Sequence, residues 1–117
     1  MKENTVKNKS FDFALRVIDL CKGLQEKKEF ILSKQLMRSG TAIGALVREA
    51  EHAESKADFI HKISIALKEA NETEYWLELL FQSKFIEEKI FQNIIENNKE
   101  ILKLLTAIIK TSKTNRG

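Results

Sequence analysis

From about Glu87 to Lys113 the apolar residues recur at helical spacing on two adjacent lines: Ile90, Ile94, Ile101, Leu104 and Ile108 on one, Phe91, Ile95, Leu102, Leu105 and Ile109 on the next. A half-buried strand alternates with period two, so a run of this length and period specifies a long amphipathic helix. Proline is absent from the chain and glycine occurs only four times, so little interrupts such helices.

Three earlier segments repeat the pattern. Ser10 can cap a first helix to about Leu24, with Phe11, Ala14, Ile18 and Cys21 on one stripe and Phe13, Val17, Leu20 and Leu24 on its neighbour. A second, from about Phe30 to Ala53, carries Leu32, Leu36, Ile43 and Val47. The third opens at Ser55, which with Asp58 three residues on resembles a capping box, and presents Phe59, Ile63, Leu67, Trp76 and Leu80 before ending near Gln82. Glu26-Lys27-Lys28-Glu29 and the neighbourhood of Lys84 read as short turns. Connections this short make successive helices antiparallel, so the fold class is all-α, an up-down-up-down antiparallel four-helix bundle. One domain spans residues 1–117, with 1–9 and 114–117 as flexible tails.

Gly40 and Gly44 lie inside the second helix, where each costs about 1 kcal/mol relative to alanine. A second helix crossing closely at these positions compensates such a cost; the alternative is a kink. Four helices need one apolar stripe each, so the second stripes on helices one, three and four leave surface for self-association.

Every apolar cluster is broken by charge well short of the roughly 20 residues that span a bilayer. Cys21 stands alone, which excludes an internal disulfide, and no apolar run follows the polar start. The expected location is the cytoplasm, with no membrane partner.

Catalytic constellations are few. Glu49-Ala50-Glu51-His52 has the Glu-x-x-His spacing of di-iron bundles and Asp58-Phe59-Ile60-His61 echoes it. Both flank a turn instead of facing each other mid-helix, Asp58 is already committed to a cap, and the remaining acids fall on polar faces. The reading is therefore no metal and no cofactor, with a di-iron carboxylate bundle on Glu49, His52 and His61 as the less favoured alternative. Cys21 sits on an apolar stripe, as buried thiols do. The chain is read as having no catalytic residues. Arg38 and Arg48 are placed to pair with carboxylates of the third helix, Asn97 and Asn98 to set helix register, and one of Tyr75 and Trp76 to be core while the other is rim.

The net charge of +3 is modest, so its distribution matters more than its total. An up-down-up-down bundle gathers both termini and the second turn at one end, collecting Lys2, Lys7, Lys9, Arg48, Lys56, Lys110, Lys113 and Arg116, diluted by Glu49, Glu51, Glu54 and Asp58. The candidate nucleic-acid-binding residues are Lys7, Lys9, Lys56, Lys110 and Lys113, contacting phosphates without sequence readout. The alternative is a protein-interaction scaffold whose basic end only solubilises.

The run Ser33-Lys34-Gln35-Leu36-Met37-Arg38-Ser39-Gly40-Thr41-Ala42-Ile43-Gly44, then Glu49-Ala50, Glu54 through Lys62, Ala66 through Ala70 and Tyr75-Trp76-Leu77, resembles the bacterial four-helix-bundle proteins encoded in intervening sequences of 23S ribosomal RNA genes. The resemblance covers nearly the whole chain. It implies a homopentamer of left-handed bundles, similar to the accessory variability protein of diversity-generating retroelements, which partners a reverse transcriptase and nucleic acid. It brings no catalytic residues. Arg38, Glu72 and Glu74 match family positions that are polar and structural, while Leu46 departs from the Asn frequent at its position.

Overall fold

The periodic segments form four helices in the computed structural model: α1 (Lys2–Glu26), α2 (Ile31–Ala50), α3 (Lys56–Gln82) and α4 (Glu88–Thr114). The structure describes the backbone of residues 2–114 and the side chains of residues 5–114.

Each helix ends at an identifiable device. After α1, Lys28 donates its backbone N–H to Gln25 O and Glu29 to Leu24 O, both at 2.9 Å, a Schellman closure with Lys28 in the left-handed region at φ 68°. The end of α3 repeats it: Lys84, at φ 69°, donates to Phe81 O at 3.0 Å and Phe85 to Leu80 O at 2.9 Å. The Glu29 carboxylate then starts α2, accepting from the N–H groups of Leu32 at 3.2 Å and Ser33 at 2.8 Å. At α3 the first half of the expected box forms, Ser55 Oγ accepting from Asp58 N at 3.0 Å, while Asp58 Oδ2 reaches one residue further back than the N-cap and accepts from Glu54 N at 3.2 Å.

The helices pack α1 on α2, α2 on α3, α3 on α4 and α4 on α1, with no diagonal pair among the described residues. That is an antiparallel four-helix bundle with extents of 51 × 22 × 19 Å. The register of α1 on α2 comes from small groups: a Cβ on Gly40 would lie 2.8 Å from a methyl of Val17, and one on Gly44 3.4 Å from Ser10 O. The close crossing expected at these glycines is thus by α1, and the kink is not needed. Phe13, Val17, Leu36, Ile43, Leu77 and Leu105 are among the fully buried core residues.

Three expectations are corrected. First, α1 begins at Lys2, not at Ser10. Val6 is 1% exposed in the core and Ser10 is fully buried, its hydroxyl donating to Lys7 O at 3.1 Å, so the helix continues through both. Thr114 closes α4; Met1 and residues 115–117 of the expected tails lie outside the described residues. Second, α2 stops at Ala50, three residues short of Ala53, and Glu51-His52 forms the turn. Third, the bundle itself takes up most of the second stripes, because each helix in a square arrangement touches two neighbours. Phe91, Leu102, Leu104 and Ile109 of α4 pack against the core, as do Phe59, Leu67, Trp76 and Phe81 of α3. Phe81 and Phe91 stack at 4.3 Å between centroids to close the α3–α4 seam. Apolar exposure remains on α1, at Phe11 (48%) and Leu15 (51%), and at the start of α2, at Phe30 (56%) and Ile31 (78%).

Candidate functional site

From Lys99 to its end α4 carries Lys99, Lys103, Lys110 and Lys113. At about 100° per residue they fall within one arc of about 80°, and at about 1.5 Å per residue they span about 21 Å. α3 and α1 bury the other faces of α4, so all four lysines are exposed, and none is ion-paired among the described residues. Of the carboxylates beside the row, Glu100 is held by Lys9 of α1 at 3.0 Å, and Glu96 is exposed three residues before Lys99. Leu102, Thr106 and Ala107 form a shallow depression between Lys103 and Lys110. The Thr106 and Thr114 hydroxyls donate back to helix carbonyls, at 2.8 Å to Leu102 O and 3.1 Å to Lys110 O. The surface is therefore a row of ammonium groups with little else polar directed outward.

The sequence-predicted lysines divide. Lys110 and Lys113 belong to this row, and Lys56 is exposed in the first turn of α3 without an ion pair among the described residues. Lys7 is bound by Glu51 at 3.2 Å and Lys9 by Glu100, so their charges are locally neutralised. Arg48 pairs with no carboxylate of α3; its guanidinium lies over the Phe11 ring, 5.2 Å from the centroid. The Lys2 side chain and Arg116 lie outside the described residues. Lys99 and Lys103 lie outside the basic end that the termini and the second turn define. Sorting α4 by face, with lysines four, seven and three residues apart, finds them.

The polar residues of α2 and α3 form a seam instead. Arg38 pairs with Glu69 at 3.1 Å and with Glu72, and Glu72 Oε2 also accepts from the Trp76 indole N–H at 2.9 Å. Beneath it the Thr73 hydroxyl bonds Ser39 Oγ at 2.9 Å in the core. This joins the helices. Glu74 is partly buried and takes no part in it. Tyr75 is 55% exposed while Trp76 packs against the core, dividing the pair into rim and core.

Glu49 is held by Lys62 at 3.1 Å, Asp58 caps α3, and His52 and His61 are exposed. Among the described residues no three His, Cys, Asp or Glu side chains converge to hold a metal ion. Cys21 is buried, donates to Ser33 O at 3.3 Å, and has its pKa pushed up to about 11 by burial and then by the nearby Glu29 carboxylate. A neutral buried thiol is a poor nucleophile. No helix among the described residues is long and apolar enough to cross a membrane.

A second surface runs between α1 and α2, where Phe11, Ala14, Leu15 and Ile18 face Gly44 and Ala45 across an apolar groove. The groove between α1 and α4, about 370 Å³, is lined by Leu20, Gly23, Phe85, Ile86 and Ile90, with Arg16, Asp19, Lys27 and Glu87 alongside.

Residues 2–107 match the family of 23S rRNA-intervening sequence proteins. No curated protein matches. Among solved structures, the chain is similar to a protein of unknown function from the S23 ribosomal protein family of Bacteroides thetaiotaomicron VPI-5482, at 58% identity and a TM-score of 0.92 over 94% of this chain and 99% of that one.

Proposed function

For a chain that belongs to the 23S rRNA-intervening sequence protein family, we propose a non-enzymatic role: a homo-oligomer, five-membered as the resemblance implies, that binds nucleic acid weakly through phosphates. The observation that carries the reading is the lysine row of α4, Lys99, Lys103, Lys110 and Lys113, exposed and without an ion pair among the described residues, with Lys56 as an outlying member. Lysine is a compact point charge on a flexible stem, suited to phosphate oxygens and poor at fixing a base. Lys7 and Lys9 contribute less than sequence reasoning assigns them, since Glu51 and Glu100 must release them first. Self-association rests on the exposed Phe11 and Leu15 beside the Gly44–Ala45 groove. A cyclic assembly repeats the lysine row around its axis, and repetition raises avidity without any new contact.

The experiment is solution mass by light scattering, with and without a short nucleic acid, at low and moderate salt. The expected result is an oligomer that gains mass with nucleic acid at low salt and loses it as salt rises, because bound lysines release condensed counterions. A monomer removes the self-association half of the proposal. An oligomer that takes up no nucleic acid at low salt removes the binding half and leaves a scaffold for other proteins.

A further inference from the structure

The geometry points to double-stranded nucleic acid, rather than a single strand, as the partner of the α4 lysine row; this rests on the phosphate-binding reading above.

Single-strand binders combine a basic track with aromatic platforms on which unstacked bases lie. The α4 row has no such platform. The one ring in α4 is Phe91, stacked on Phe81 in the bundle and eight residues before Lys99. The exposed phenyl and phenol rings, Phe11, Phe30 and Tyr75, belong to α1, the start of α2 and α3, and the exposed imidazoles of His52 and His61 to the α2–α3 turn and α3. Base-edge readers are missing too. The amide side chains of α4, Gln92, Asn93, Asn97 and Asn98, all precede Lys99, and its described residues include no arginine. From Lys99 to Thr114 the outward polar groups with full charge are the four lysines and Glu100.

What remains is charge on a rigid rod about 21 Å long. A duplex meets it well: it is stiff on that scale and carries one phosphate charge per about 1.7 Å of axis. A single strand carries half that density and must be straightened along the row, losing chain entropy with no stacking to offset it.

The test measures binding of one labelled strand of about 20 nucleotides, alone and annealed to its complement, to the full chain by fluorescence anisotropy across a salt series. The duplex is expected to bind at least fivefold tighter, with a log–log salt slope of about −3 to −4 per row engaged. A variant with Lys99, Lys103, Lys110 and Lys113 all replaced by Gln is expected to lose at least tenfold in duplex affinity while keeping its helical circular dichroism, because these side chains are exposed and make no ion pair among the described residues. Equal affinity for both forms, or tighter binding of the single strand, overturns the duplex assignment and leaves phosphate binding standing. Undiminished duplex binding by the four-lysine variant overturns the assignment to α4. Binding of neither form at low salt removes the parent reading as well.

Discussion

Gly40 lies so close under Val17 that a β-carbon on it would stand 2.8 and 2.9 Å from the two valine methyls. Val17 is fully buried against the core and cannot swing away. Gly40→Ala is therefore expected to destabilise by about 1–3 kcal/mol through overpacking, although alanine is the better helix former by about 1 kcal/mol. Adding Val17→Ala should recover part of that loss, a favourable coupling visible in a double-mutant cycle of urea midpoints. Gly23 gives the opposite sign: no atom lies within 4 Å of its virtual Cβ, so Gly23→Ala should stabilise by up to about 1 kcal/mol. Two glycine substitutions moving the midpoint in the same direction would contradict this account.

Lys28 and Lys84 occupy the left-handed position of two matching Schellman closures. A side chain there costs about 1 kcal/mol or more that glycine does not incur. Lys28→Gly and Lys84→Gly should each raise stability by about 1 kcal/mol, and because the motifs share no residue the double variant should show the sum. Thermal midpoints of the three variants test it; a fall in any of them would mean that the lysine side chains stabilise the turns by contacts outweighing the backbone strain.

These positions also show what the sequence conceals. A helix end is easiest to read from a glycine, and both closures use lysine, so the turns were legible only as breaks in periodicity. The start of α1 was hidden for another reason: Val6, Ser10, Phe13 and Val17 form one buried stripe, but a serine in it looks polar, and the helix is read as beginning where the serine stands. The glycines of α2 announced a close approach without saying that α1 made it. The α4 lysines were visible as charges, yet which of the chain's lysines stay free depends on ion pairs such as Lys7–Glu51 and Lys9–Glu100, which bring together residues 44 and 91 positions apart in sequence. Such pairings follow from register, and register follows from packing.

Cys21 makes stability depend on alkaline pH. Burial and Glu29 raise its pKa from the ordinary 9.0 to about 11. Below about pH 9 the thiol is protonated in both folded and unfolded chains, and its contribution is fully present. Between about 9 and 11 the unfolded thiol ionises while the folded one does not, so stability is lost as pH rises, by at most about 1.4 kcal/mol per unit. The quantity to measure is the difference between the wild type and Cys21→Ala across that window. The wild type should lose more; parallel curves would show that the folded thiol ionises at its ordinary pKa.

The seam residue Glu72 accepts from both Arg38 and the Trp76 indole. Arg38 is about half exposed, so Arg38→Ala is expected to cost no more than about 1 kcal/mol. Glu72→Gln keeps an acceptor for the indole and should change stability little while leaving Trp76 fluorescence near its native maximum. Glu72→Ala removes the acceptor and should shift that emission. If Glu72→Ala and Glu72→Gln gave the same spectrum, the indole hydrogen bond would not be what holds the tryptophan in place.

Asn98 is fully buried in α4, donates its side-chain amide to Ala70 O on α3 at 3.0 Å, and has no partner for its Oδ1 among the described residues. One bond made and one acceptor left unpaired is a poor bargain for stability alone, since an unsatisfied buried polar atom costs about 1–3 kcal/mol. It is a good device for register, because sliding α4 along α3 removes the amide's partner altogether. Asn98→Leu, close in volume and without the unpaired acceptor, is expected to leave stability within about 1 kcal/mol of the wild type or to raise it. The same change should lower the cooperativity of unfolding, seen as a reduced urea m-value, as competing α3–α4 registers become populated. Asn98→Asp places an unpaired charge at the same site and should destabilise by about 3–5 kcal/mol. A leucine variant that unfolds as sharply as the wild type would show that the neighbouring apolar side chains set the register without the amide.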